Sequence, residues 1–421
     1  DPCSAIHPLA LSSPFFRRLP LEKYNLEFIQ PEASVAHPLD DGTAVLLKGS
    51  FDETLATLDA ADRENYQKLL APFVANWDAL TPDLLAPLGI PQNPFLMARF
   101  GWKALRSARS FAESFFAGAR ARAAFAGLAA HSMIPLERLP SAAFGLVLAI
   151  SVHAVGWAIP RGGTQKITDA LAAHFRSLGG EIQTNARVEN LDELPPAKMI
   201  LCDLTPRQIL KIAANRLPDG YKRRLEKFRY GLGAFKIDWA LSDPIPWRAA
   251  ECAQAGTVHL GGTFDEIAAS ESAAWRGEIS EKPYVLVAQQ SHFDATRAPE
   301  GKHTGWAYCH VPHGSTHSMT EIIENQIERF APRFRDCILA RSVLTPLDLE
   351  RRNANFIGGD INGGAGILSQ LFTRPVVSLN PYRMAARGLY ICSSSTPPGG
   401  GVHGMCGFHA ARTALADFKI T

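Results

Sequence analysis

No Cys-x-x-Cys pair occurs in the 421 residues, although seven cysteines are present, at positions 3, 202, 252, 309, 337, 392 and 406. An odd, scattered set argues against a disulfide framework and points to a reducing compartment: the cytoplasm or, in a eukaryote, the mitochondrial matrix. Charge of one sign is not in excess either, with 43 basic against 41 acidic side chains. No basic stripe interleaved with aromatics stands out, so no nucleic-acid partner is expected. Paired metal-ligand spacing is also missing. His303, Cys309, His310, His313 and His317 lie close together, but HTGWAYCHVPHG alternates through Trp306, Tyr308 and Val311 like a strand running into a turn, and no metal is expected. A basic n-region and a leading apolar run are lacking, so no signal peptide is expected. The one apolar run near membrane-spanning length, residues 142–160, contains His153, two glycines and a terminal proline. It reads as a buried helix ending near Gly156 rather than a transmembrane span.

What is present is a chain with 46% apolar and 20% charged residues, long enough for two or three domains around a large core. Helical spacing over 53–85 and an Ala-, Arg- and Phe-rich stretch over 101–131 make the first 150 residues a mainly helical unit, with short strands such as 43–47. After Pro160 a glycine turn leads to a helix over 165–178, a Gly-Gly stop and a strand over 181–188. A short apolar run follows at 198–203, and Thr205-Pro206 opens another helix. These are parts of an α/β layer. Residues 230–312 are strand-rich: 233–241, 284–289 and 304–311 alternate cleanly, which suggests a mixed sheet carrying helical insertions. Ser318 and Glu321 form a capping-box pattern ahead of a helix to about Phe330.

The most informative stretch runs from Arg387 to Met405. A short buried strand over 389–392 is followed by small hydroxyl residues and glycines, then by a helix from about Val402 to Asp417. A strand, a glycine loop and a helix amino terminus together make an anion site, because free backbone N–H groups and the positive dipole end converge. GGGVHG (399–404) has the Gly-x-Gly-x-x-Gly form, but the second strand and ribose-binding acid that should follow it are absent from the sequence.

With its flanks, YICSSSTPPGGGVHGMCGFHAARTAL resembles the terminal flavin-binding motif of phytoene desaturase-like and amine oxidase-like flavoproteins. More closely, the chain resembles the pyridine nucleotide-disulphide oxidoreductase domain-containing protein 2 family. The supporting stretches are SAIHPLA (4–10), AHPLDDG (36–42), IPRGGTQKI (159–167), TPRQIL (205–210), GGDINGG (358–364) and FTRP (372–375). The resemblance implies an α/β fold with an incomplete Rossmann-like FAD-binding domain (155–225 and 340–421). It also implies a helix-plus-mixed-sheet substrate domain (1–154 and 226–339). FAD is the implied cofactor. Ser393, Ser394, Ser395, Thr396, Gly399, Gly400, Gly401, Val402, His403, Gly404 and Met405 would approach its ribityl chain, pyrophosphate and ring. Arg161, Gly162 and Gly163 would sit near the isoalloxazine, Val188 near the adenine, and Asp203 and Thr205 would border the cleft.

The chain departs from that family by lacking the βαβ unit with Gly-x-Gly-x-x-Gly that grips the ADP half of FAD. It therefore reads as an amino-terminally short form, expected to bind FAD weakly or not at all. With flavin bound, the implied chemistry is desaturase- or dehydrogenase-like removal of hydride from a hydrophobic, polyene- or lipid-like substrate. His403 and Arg161 are candidate electrostatic contributors, and no catalytic base is assigned. Two alternatives stay open: a non-catalytic binding protein of the same fold that has lost tight FAD binding, and an amine oxidase, for which no aromatic cage is apparent. The partner is expected to be a hydrophobic small molecule; no transmembrane span is expected, and peripheral membrane contact and oligomeric state are left open.

Overall fold

The computed structural model describes residues 3–419. Its centre is a seven-stranded mixed sheet. In chain order the strands are β1 (Phe28–Ile29), β2 (Ala33–Pro38), β3 (Ala44–Leu47), β4 (Ile159–Pro160), β5 (Ile200–Cys202), β6 (Gly233–Leu241), β7 (Ala255–Leu260), β8 (Val285–Ala288), β9 (His303–Val311), β10 (Ile338–Leu344) and β11 (Leu389–Ile391). The large sheet has the order β10-β6-β9-β8-β7-β2-β3, antiparallel throughout except for the parallel β2–β7 pair.

The alternation legible in β6 and β9 becomes two cores, one on each face, because successive side chains point to opposite sides of a strand. Phe235, Ile237, Trp239, Ala307, Cys309 and Val311 pack with Ile323, Ile327 and Phe330 of the helix Thr320–Phe330. Ala234, Trp306 and Tyr308 face a helical layer that includes Ala60–Val74, Ala119–Ala130, Ser141–Ala154 and Phe264–Arg276. Burying each large side chain of these cores contributes about 1.5–3 kcal/mol. Ser141–Ala154 is the apolar run of the sequence. It is apolar on all sides because it packs within that layer, where Gly145 lets the ring of Phe125 come so near that a Cβ would lie 2.9 Å from it. It stops at Val155, with Gly156 at φ 71°. Among the described residues no helix is long and apolar enough to cross a membrane.

The helical side of the sheet also buries polar groups. Glu271 of Phe264–Arg276 accepts from or shares a proton with His310 Nδ1 of β9 at 2.8 and 2.9 Å, and neither side chain is accessible to solvent. Replacing Glu271 by Leu leaves both His310 nitrogens without partners and is expected to lower stability by about 3 kcal/mol. Glu271→Leu combined with His310→Leu is expected to cost less than the sum of the single changes, as a urea double-mutant cycle would report.

A second, smaller sheet pairs β5 and β11 in parallel, with Leu389 opposite Ile200 and Ile391 opposite Cys202. Ile209, Ile212, Tyr221 and Leu225, from the helices Pro206–Ile212 and Asp219–Leu225, pack against it. β1 and β4 form a short antiparallel link, with Phe28 opposite Pro160.

Several expectations need correction. Residues 181–188 form no strand: they run irregular and, up to Arg187, exposed, Asn185 has φ 58°, and among the described residues no strand pairs with them. Alternation alone cannot hold a strand whose N–H and C=O groups have no ladder partner. The Ser318–Glu321 capping box does not form either. The helix starts at Thr320 with Met319 as its cap residue, and Ser318 Oγ instead meets Thr320 Oγ1 at 3.4 Å. The last helix is Met405–Asp417, three residues shorter than expected at its start, because Gly404 takes a left-handed conformation (φ 66°) that ends the loop there. One helical insertion expected within 230–312 is the helix Phe264–Arg276, opened by a capping box between Thr263 and Glu266. All seven cysteines are free.

Candidate functional site

The loop from Ser393 to Gly404 is fixed by its own side chains. Ser393 Oγ donates to the Leu204 carbonyl (2.8 Å), Ser395 Oγ to the Gly363 carbonyl (2.7 Å) and Thr396 Oγ1 to the Ser393 carbonyl (2.7 Å). Tyr382 OH donates to the Pro397 carbonyl at 3.0 Å, and the Cys406 thiol reaches the carbonyls of Thr396 and Gly399, each at 3.6 Å. Short hydroxyl side chains suit this loop because they satisfy main-chain carbonyls that the β11 ladder no longer serves.

Behind the loop lie two buried charges to which sequence reasoning assigned no role. The Arg374 guanidinium donates to the carbonyls of Ser394 (2.9 Å), Gly364 (3.3 Å) and Ala365 (3.2 Å). The Asp360 carboxylate accepts from the amides of Gly231 (2.7 Å), Asn362 (2.8 Å) and Gly364 (2.8 Å). Burial pushes the Arg374 pKa down and that of Asp360 up, each opposed by the other's charge. Their only sequence signal is an acid among glycines and an arginine before a proline, in the GGDINGG and FTRP stretches.

In front of the loop lies the chain's first segment. Thr164 Oγ1 donates to the Ser4 carbonyl (2.8 Å) and lies 3.0 Å from His7 Nε2. Ser13 Oγ donates to the His403 carbonyl at 2.6 Å. A Cβ on Gly401, at φ 128°, would sit 2.7 Å from Leu9 Cδ1. Residues 4–16 thus bridge the turn at Gly162 and Gly163 to the turn at Gly401–Gly404.

Gly400 and Gly401 are solvent-exposed, and the first turn of Met405–Asp417 holds no acidic side chain. The Met405 N–H donates to His403 Nδ1 (3.0 Å), while the buried His403 Nε2 has no partner. Burial lowers the His403 pKa to about 4, so its ring is neutral at pH 7 and carries no charge into the site. An exposed glycine turn and an acid-free helix start fit a group bearing phosphate or carbonyl oxygens.

The remaining expected residues lie on either side. Gly162 N–H donates to Asp294 Oδ2 at 2.7 Å, whereas the Arg161 side chain pairs with Glu27 at 2.8 Å in solvent. Across the small sheet, Val188 is half-buried against the apolar cluster of Cys202, Leu389 and Ile391. Asp203 is exposed at the end of β5, and the buried Thr205 donates its N–H to Asn355 Oδ1 at 3.0 Å. Among the described residues no group of three or more His, Cys, Asp or Glu side chains could hold a metal ion.

No family model matches the chain. Pyridine nucleotide-disulfide oxidoreductase domain-containing protein 2 of Mus musculus is 28% identical over 302 residues, which are 62% of this chain and 52% of that protein. The phytoene desaturase (neurosporene-forming) of Rhodobacter capsulatus is 24% identical over 276 residues, 58% of this chain and 51% of that protein. The chain therefore spans about half the length of these curated relatives. Among solved structures, an oxidoreductase from Methanosarcina mazei superposes with a TM-score of 0.61 at 15% identity, over 97% of this chain and 86% of that one. Cyclohexylamine oxidase from Brevibacterium oxydans gives 0.52 at 10% identity, over 94% and 83%. The fold is that of the amine oxidase-like oxidoreductases. In sequence the chain is related to the domain-containing protein 2 group and to phytoene desaturase.

Proposed function

We propose that this chain is a flavin-dependent oxidoreductase that takes its redox chemistry from FAD held against the loop 393–405. The observation that carries the proposal is the exposed Gly400–Gly401 turn, delivered to a helix amino terminus, with Arg374 holding its loop at Ser394 and Asp360 holding the neighbouring loop at Asn362 and Gly364. When bound, the flavin supplies two-electron acceptance from a substrate. The chain's own residues bind and orient. Free backbone amides between Gly399 and Gly404 would face phosphate and ring oxygens, Gly162 and Gly163 would flank the ring, and Val188, Asp203 and Thr205 would border the adenine side. In this reading 155–225 and 340–421 are the cofactor-binding unit, while 1–154 and 226–339 form the substrate unit. An apolar substrate is suggested by the phytoene desaturase relative.

Replacing Gly401 by Val tests the reading, because valine is strained at φ 128° and its side chain enters the space beside Leu9. Titrating FAD with the chain should quench the flavin's fluorescence saturably. Gly401→Val should weaken that binding by about tenfold or more while leaving the thermal midpoint within a few degrees. Equal affinity of both proteins, or no saturable quenching by the parent, would refute the proposal.

A further inference from the structure

Five apolar side chains stand in solvent within one stretch: Leu88 at 73% exposure, Ile90 at 95%, Phe95 at 93%, Trp102 at 80% and Leu105 at 46%. Soluble surfaces expose single apolar residues routinely, but seldom a run of this kind. By contrast, Trp77, Trp157, Trp239, Trp247 and Trp306 are all buried. From residue 84 to residue 98 (LLAPLGIPQNPFLMA) the sequence carries no charge. The connection is nevertheless held in place. The Asp83 carboxylate accepts the amides of Gln92 (2.8 Å) and Asn93 (3.1 Å), and Asn93 Nδ2 donates to the Ala79 carbonyl (3.1 Å).

The helix Pro94–Ala104 then presents a mixed face. At 3.6 residues per turn Phe95, Arg99 and Trp102 share one side, with Arg106 just beyond it, while the buried Phe100 and Ala104 lie opposite. Arg99, Lys103 and Arg106 lie close enough together to depress the Lys103 pKa, after the larger effect of burial. Their heads sit over ring faces, Arg99 over Phe73 (5.8 Å) and Lys103 and Arg106 over Phe115 (5.0 and 5.7 Å). Arg106 also bonds Ser110 and Ser114, and none of the three is ion-paired with a carboxylate among the described residues. A second copy of this chain or an apolar protein groove would have to bury these uncompensated cations, at a heavy desolvation cost. A lipid surface takes both parts: apolar side chains enter the headgroup–acyl boundary and the cations meet phosphates.

We propose that residues 84–106 are a membrane-surface anchor. Leu88, Ile90, Phe95 and Trp102 enter one leaflet of an anionic bilayer, with Arg99, Lys103 and Arg106 on its lipid phosphates. This goes beyond the flavin reading and does not depend on it, since lipid binding is read without cofactor.

The test is sedimentation of the chain with sucrose-loaded vesicles of phosphatidylcholine alone or of phosphatidylcholine with phosphatidylglycerol. Partition onto the anionic vesicles should exceed that onto neutral ones and should fall with salt. The double variant Phe95→Ser/Trp102→Ser should lose about tenfold or more in partition coefficient, as should Ile90→Ser combined with Leu88→Ser. These side chains are exposed, so both variants should keep the parent's circular dichroism. Brominated acyl chains should quench the parent's fluorescence, and Trp102→Phe should abolish that quenching. No sedimentation with anionic vesicles, or unchanged sedimentation of both double variants, overturns the proposal. So does a parent dimer that the double variants dissociate without any vesicle binding.

Discussion

Acidification from pH 6.5 to 4 should unfold the chain through its histidines, largely ahead of its carboxylates. Burial lowers the pKa of His7, His37 and His403 to about 4 and that of His131 to about 3, and it drives His259 well below its ordinary value of 6.5. His131 and His259 face each other through Nε2 atoms 3.1 Å apart, so one shared proton satisfies both rings and a second sets two N–H groups against each other. The sign follows from proton uptake. Between pH 6.5 and 4 the unfolded chain binds these protons and the folded chain does not, so stability is complete above 6.5 and is lost as pH falls toward 4. A histidine held near 4 loses about 3 kcal/mol over that window. Several together match the about 5–15 kcal/mol by which a domain is stable. Urea midpoints followed by tryptophan fluorescence should therefore drop steeply between pH 6.5 and 4.5. A flat profile over that interval would show that these imidazoles are hydrated in solution.

Replacing Arg374 by Met should cost about 3–5 kcal/mol of stability. The change strands the carbonyls of Ser394, Gly364 and Ala365 and leaves the buried Asp360 carboxylate without its neighbouring cation. Asp360→Asn combined with Arg374→Met should recover part of that loss, because the surviving amide no longer carries an unpaired charge. Equilibrium urea unfolding measures both. A loss below about 1 kcal/mol for Arg374→Met would mean that water reaches those carbonyls and that the two glycine loops are not held together through this side chain.

The contrast between Arg374 and Gly401 shows how far the sequence could be read. Glycines before a helix announce a turn because only backbone conformation is at stake. β6, β9, Ser141–Ala154 and Gln165–Ser177 were likewise legible, since their side-chain periodicity is also their burial pattern. β7 went unread: AGTVHL has small residues and a histidine at buried positions, and it is a strand because β2 and β8 lie on either side. β10 is an edge strand with a mostly exposed middle, so it shows little alternation. Residues 181–188 failed in the opposite sense, with a strand's pattern but no neighbour to pair with. Arg374, Asp360 and the Glu271–His310 pair depend on contacts across long sequence separations, which no local pattern records. Exposure at Phe95 and Trp102 was hidden for the same reason, since it depends on what the rest of the chain leaves uncovered.

The most direct test is amide hydrogen exchange read by mass spectrometry with and without FAD. The account predicts that added FAD slows exchange in peptides covering 399–407 and 160–164 while leaving the seven-stranded sheet unchanged. Exchange at 399–407 that is the same with and without FAD, under conditions where the flavin is bound, would contradict it.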